Sequence, residues 1–138
     1  MFSAPEAKVL VVDDINTNLN VAKNMLLPYN IKVDLCESGI DAIEMSKSTQ
    51  YDLVFMDYKM PGMDGIETTQ CLRAMGEENT HYKNLPIIAL TTYDAAGAKE
   101  MFLKNGFNDF LLKPIDTVRL NAVLAHWIPK EKQKSSII

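Results

Sequence analysis

Apolar residues along this chain follow two alternating patterns. In one, short runs are apolar at nearly every position; in the other, apolar residues recur every three or four places. Residues 8–13, 31–36, 51–56, 86–90 and a run around 110–112 are of the first kind and predict five buried strands. Between them, Ile15, Leu19, Ala22 and Leu26 have the spacing of one helical face, and Pro28 stops that helix. Ser38 is placed to cap a second helix, with Asp41 in capping-box position, running to about Ser48. Pro61-Gly62 and Asp64-Gly65 predict a turn-rich loop, with Asp64 serving the turn and the start of a helix over about 66–75. The polar stretch 76–84 reads as a loop. A helix over about 95–104 ends on the C-cap pair Asn105-Gly106. A final helix carries Leu120, Val123, Leu124 and Trp127 on one face and closes before Pro129. Strict alternation with short connections predicts one α/β domain, a doubly wound parallel sheet covered on both faces.

How the strands end is the next signal. The first stops on Asp13-Asp14, the third on Asp57, the fourth on Thr91 and the fifth on Lys113. In open α/β sheets the carboxyl ends of parallel strands face the ligand crevice. If the first and third strands are neighbours, three carboxylates meet there, and their mutual repulsion calls for a cation. Oxygen-only ligands suit Mg2+, with Mn2+ as a substitute. Such an ion commonly holds phosphate, to which Lys113 and Thr91 would add contacts. Asp57 stands alone at the end of the central strand and is the candidate nucleophile for an aspartyl-phosphate, whereas Asp13 and Asp14 suit metal holding.

Bulk properties narrow the classes. The 138 residues suit a single domain, read as a flexible lead-in (1–7), a body (8–129) and a tail (130–138). Hydrophobic content of 47% and charged content of 23% are those of an ordinary globular domain. A net charge of −4 argues against direct nucleic-acid binding, and no apolar run is long enough to span a membrane. Cys36 and Cys71 lack metal or redox spacing and read as free thiols in a reducing cytoplasm, and His81 and His126 lie too far apart for zinc. The methionines read mostly as core filler, with Met60 and Met63 near the site available for partner docking.

Asp13-Asp14, the run from Asp57 through Lys59 and Pro61 to Gly65, the Ala89-Leu90-Thr91 end and Lys113-Pro114 together resemble the receiver domain of two-component response regulators, over roughly residues 8–128. The Met60–Glu67 segment and the Trp-Ile-Pro ending resemble receivers of hybrid sensor histidine kinases. The resemblance implies a flavodoxin-like (βα)5 fold with strand order 2-1-3-4-5. It implies a phosphoprotein of a phosphorelay. Asp57 would accept a phosphoryl group from a phosphohistidine on a histidine kinase or histidine phosphotransfer partner, and would lose it slowly by self-catalysed hydrolysis. Asp14 would ligate Mg2+ directly, Asp13 through water, Asp57 as acceptor and ligand, and Lys59 through its backbone carbonyl. Thr91 would bond a phosphoryl oxygen, Lys113 would pair with its charge, and Phe110 falls where such domains carry a switch aromatic. The partner would dock beside residues 16–25. Signal output, and pairing into a homodimer, would use the face of the fourth helix, fifth strand and fifth helix. The domain would be cytoplasmic, tethered to a membrane-bound kinase if it is part of one.

Thr92 stands where the family usually has a smaller residue, and Lys59 and Tyr93 flank the route of a hydrolytic water, which predicts slow loss of the phosphoryl group. Alternatives differ at identifiable positions. A haloacid-dehalogenase-type hydrolase needs a second aspartate where Lys59 stands, and a flavin-type phosphate binder would be repelled by Asp13-Asp14. A stand-alone regulator and a docking pseudo-receiver share the fold. For Phe110 a core role competes with the switch role.

Overall fold

The structure is a computed structural model and describes residues 2–135. Its elements in chain order are β1 (Phe2–Ser3), β2 (Lys8–Val12), α1 (Asn16–Leu26), β3 (Lys32–Cys36), α2 (Gly39–Ser48), β4 (Leu53–Asp57), α3 (Gly65–Ala74), α4 (Thr80–Asn84), β5 (Ile87–Thr91), α5 (Ala98–Lys104), β6 (Asp109–Leu112), α6 (Thr117–Trp127) and β7 (Lys134–Ser135). Five strands form a parallel sheet in the order β3-β2-β4-β5-β6. This is the 2-1-3-4-5 order expected from the sequence, counted after the short β1.

Alternation along each strand divides the core in two. Val9, Val11, Leu53, Phe55, Ile88, Leu90 and Leu111 point to the face covered by α1 and α6. Leu10, Val12, Val54, Met56, Ile87 and Ala89 point to the face covered by α2, α3 and α5. Central strands β4 and β5 are buried at every position, which is why their sequences are apolar without alternation. Side-chain caps start several helices: Ser38 accepts from the Asp41 amide, Asp64 from Glu67 and Asp116 from Arg119.

Three expectations are corrected. Residues 76–84 are not a loop: a 3-10 turn over Met75–Glu77 leads into α4, capped by the Asn79 side chain, which accepts from the His81 amide. The anchor is Tyr82, buried and donating its hydroxyl to the Ser46 carbonyl. Five residues are too few to show helical periodicity. Helix α5 begins at Ala98 rather than near Ala95, because Gly97 at φ +85 sits in the left-handed region and breaks the entry. Of the lead-in and tail, residues 2–7 and 130–135 are packed, not free. Ala4 and Ala7 are wholly buried, β1 pairs with β7, and Phe2 meets the Tyr29 ring at 5.1 Å. The tail is tied down by Lys132 to Asp52 at 2.9 and 3.0 Å and by Gln133, which donates to the Ala125 and Ile128 carbonyls.

Candidate functional site

Strand ends converge at the carboxyl edge. Asp57 is the last residue of β4 and Thr91 the last of β5, and their strands are paired neighbours. Asp13 and Asp14 follow β2, which pairs with β4 on its other side. Lys113 follows β6, and its amide donates to the Thr91 carbonyl at 2.8 Å, carrying the ladder one residue past the strand. The five residues picked from the sequence therefore sit on adjacent strand ends.

Lys113 joins the two buried acids. Its Nζ lies 2.7 Å from Asp57 Oδ1 and 3.0 Å from Asp13 Oδ2. Asp13 is oriented through both oxygens, since Oδ1 accepts from the Ile15 amide at 2.9 Å. Asp13, Asp57 and Thr91 are all buried, with Asp14 half-buried at the rim. Burial raises the Asp57 carboxyl to about pH 6; the Lys113 hydrogen bond opposes this, while the Asp13 charge and a bond to Asp14 add to it. For Lys113 burial alone would favour the neutral amine, but its bonds to Asp57 and Asp13 outweigh burial and raise its pKa.

A divalent cation fits the acids. Asp13, Asp14 and Asp57 each offer a carboxylate oxygen, and these oxygens lie within 4.8 Å of one another. The donors are all oxygen and two of the three are buried, which matches a small hard ion that retains waters. Thr91 Oγ1 accepts from the Tyr93 amide at 2.8 Å, which leaves its own proton free to donate into the cleft.

The cleft, about 620 Å³, is lined by Asp14, Ile15, Asp57, Tyr58, Lys59, Thr91, Thr92, Tyr93 and Lys113. Lys59, Thr92 and Tyr93 are exposed and line the cleft. Phe110 is not in the cleft. It is half-buried on β6, stacked on Phe102 at 5.8 Å, beside a groove lined by Lys99, Val118, Arg119 and Val123.

Two residues important to the site carried no chemical signal in the sequence. Gly65 lies against the end of β4, and a Cβ there would come within 2.2 Å of the Asp57 carbonyl oxygen, so only glycine admits this approach. Its place after Asp64 in a turn-rich run, within the stretch that resembles the receiver family, is the available hint. Tyr58 lines the cleft beside Asp57, and nothing in the local pattern distinguishes it from a strand-end aromatic.

A profile of the response regulator receiver domain matches residues 9–125. The signal transduction histidine-protein kinase BarA of Escherichia coli K12 is 35% identical over 130 residues, covering 94% of this chain and 14% of the relative. Among solved structures, the receiver domain of the Pseudomonas aeruginosa sensor histidine kinase PA1611, with magnesium coordinated in its active-site cleft, has a TM-score of 0.77 and 33% identity, covering 88% of this chain and 96% of that one. A chain of the co-crystal structure of the Saccharomyces cerevisiae phosphotransfer protein Ypd1 with the Ssk1 receiver domain has a TM-score of 0.83 and 28% identity, covering 96% and 94%.

Proposed function

Because this chain belongs to the response regulator receiver domain family, we propose that it accepts a phosphoryl group on Asp57 from a partner phosphohistidine and converts it into a change of surface. The observation that carries this reading is the Lys113 ammonium held between Asp57 and Asp13 at adjacent strand ends, with Thr91 beside them. In the transfer, an Asp57 carboxylate oxygen bonds to phosphorus as the phosphorus–nitrogen bond of the donor imidazole breaks. Lys113 moves its charge from the carboxylate to the phosphoryl oxygens, and Thr91 donates its hydroxyl proton to one of them. Asp13, Asp14, Asp57 and the Lys59 carbonyl would hold Mg2+, for which Mn2+ substitutes. When bound, the ion supplies the positive charge that offsets the phosphoryl oxygens.

Donor and output surfaces lie apart. Beside the site, α1 and its flanks expose Ile15, Val21 and Leu27, an apolar surface for a histidine kinase or phosphotransfer partner of the kind seen in the Ypd1 complex. When Thr91 turns toward the phosphoryl group, Phe110 is the aromatic that repacks. Its stacking on Phe102 and its half-buried place by the α5, β6 and α6 groove support a role for this face in output and in pairing of two copies. Among the described residues, no helix is long and apolar enough to cross a membrane. The chain spans 14% of the curated relative BarA, so its origin in a cytoplasmic, membrane-tethered hybrid kinase is part of the proposal.

Incubation with acetyl phosphate and Mg2+ is expected to add one phosphoryl group, about 80 Da by intact mass, and EDTA to prevent it. No gain from acetyl phosphate or from a phosphorylated histidine partner, with metal binding intact, would instead identify a docking pseudo-receiver.

Exposed Lys59 and Tyr93 at the cleft mouth favour slow hydrolysis. Lys59→Asn and Tyr93→Glu are each expected to shorten the phosphoryl half-life several-fold, roughly the effect of uncovering a polar group to water. Unchanged half-lives in both would remove this part of the reading.

A further inference from the structure

The lifetime of the phosphoryl group has a less obvious determinant, and it rests on Asp57 being the acceptor. Tyr58 is held on three sides. Its amide donates to the Leu90 carbonyl at 2.9 Å, and its carbonyl accepts from the Gly65 amide at 3.0 Å. Its ring stands edge-on to Phe102, centroids 5.2 Å apart at 89°, and Phe102 is wholly buried. Outward from this anchored ring, Tyr93 packs at 6.3 Å and Lys59 Nζ lies 4.9 Å over the ring centre. Both outer residues are exposed, and both line the cleft with Tyr58. An exposed side chain excludes water only while something offsets the entropy of holding it still.

We propose that Tyr58 is a positioning residue that holds Lys59 and Tyr93 across the mouth of the cleft, and so sets how long Asp57 stays phosphorylated. The step it slows is hydrolysis. A water oxygen bonds to phosphorus, the phosphorus–oxygen bond to the Asp57 carboxylate breaks, and both water hydrogens leave on inorganic phosphate. Tyr58 touches none of these atoms; it acts through the two residues that cover them.

The test loads each protein with acetyl phosphate and Mg2+, removes the donor by desalting, and follows intact mass with time. Tyr58→Leu keeps an apolar chain against Phe102 but removes the ring from both outer partners. It is expected to shorten the half-life about three- to ten-fold, the combined scale of one aromatic pair and one exposed cation–π contact. Tyr58→Phe keeps the ring and should remain within about two-fold of the parent. In a Tyr93→Ala background the effect of Tyr58→Leu should shrink, because residues acting through one contact are not additive. A purely structural role would not give that rescue and coupling. Should the leucine variant melt early, Tyr58→Met removes the ring with a more adaptable chain. A parent protein that loads and then decays at the same rate as Tyr58→Leu, or fully additive effects, overturns the role of Tyr58 alone. A parent that never gains phosphoryl mass overturns the assignment of Asp57, and this proposal with it.

Discussion

Asp57→Asn is expected to abolish phosphoryl uptake and, in EDTA, to make the protein more stable near pH 8 by about 1–2 kcal/mol. The two effects have one cause. An amide cannot form the acyl phosphate, so intact mass after acetyl phosphate and Mg2+ should show no adduct. The same carboxylate is costly to ionise where it stands, because burial lifts it from 3.8 to about 6. Between roughly pH 4 and 6 the folded protein holds a proton that the unfolded chain has lost, so stability falls as pH rises through that window. Above it the full penalty applies; two pK units correspond to about 3 kcal/mol. Asparagine removes the penalty but weakens the Lys113 contact made at 2.7 Å, so the net gain is smaller. Denaturant melts of both proteins in EDTA should therefore coincide most nearly at about pH 4, separate between about pH 4 and 6, and keep a constant gap above that. Mg2+ should narrow the gap from the other side, by stabilising the parent more than a variant that has lost one carboxylate ligand. A variant no more stable than the parent at pH 8 would show that Lys113 already neutralises the site.

Arg73→Ala is expected to destabilise the fold by about 3–5 kcal/mol, read as a shift in the urea midpoint. The guanidinium at the end of α3 satisfies oxygens from two separate segments, 82–85 and 106–108. Nε and Nη2 donate to the Gly106 carbonyl at 2.9 and 2.8 Å, and Nη2 donates to Asn108 Oδ1 at 2.7 Å. Nη1 donates to the Tyr82 and Leu85 carbonyls at 3.0 and 2.6 Å, closing the end of α4. Asn108 Oδ1 also accepts from the Ile87 amide, so the knot reaches the first residue of β5. Alanine would strand these oxygens where water has little access, and each half-buried acceptor left unmet costs about 1–3 kcal/mol before relaxation. Lysine cannot restore the fork, because an ammonium has no planar pair of donors, so Arg73→Lys should recover less than half of the loss. A midpoint within experimental error of the parent would mean that water replaces the guanidinium at this junction.

Arg73 also shows why some of this protein could not be read from its residues. An arginine in the last turn of a predicted helix is ordinarily a solvated cation beside the helix C-terminus. Its partners lie 9 to 35 residues away in sequence, and only folding brings their carbonyls together. Helix α4 escaped for a related reason: its capping Asn79 and single anchor Tyr82 carry no period, and Tyr82 is held by a carbonyl of α2. The terminal ribbon was missed because two-residue strands leave no pattern, and the burial of Ala4 and Ala7 depends on neighbours distant in sequence.

What the chain order of apolar and polar residues determined by itself was the alternation of strands and helices, and hence a parallel sheet. It also determined which charged residues would lie at strand ends, because a strand buried on both faces can change from apolar to charged only where it leaves the sheet. Asp13, Asp14, Asp57, Thr91 and Lys113 were legible for that reason. Tertiary structure alone decided how they meet: Lys113 lies between Asp57 and Asp13 across 56 and 100 residues of chain. It also decided that Gly65 abuts the Asp57 carbonyl, and that Tyr58 stands between buried Phe102 and the exposed mouth of the cleft. Local patterns encode which face of an element is buried. Distances between side chains of different elements are set only when those faces pack.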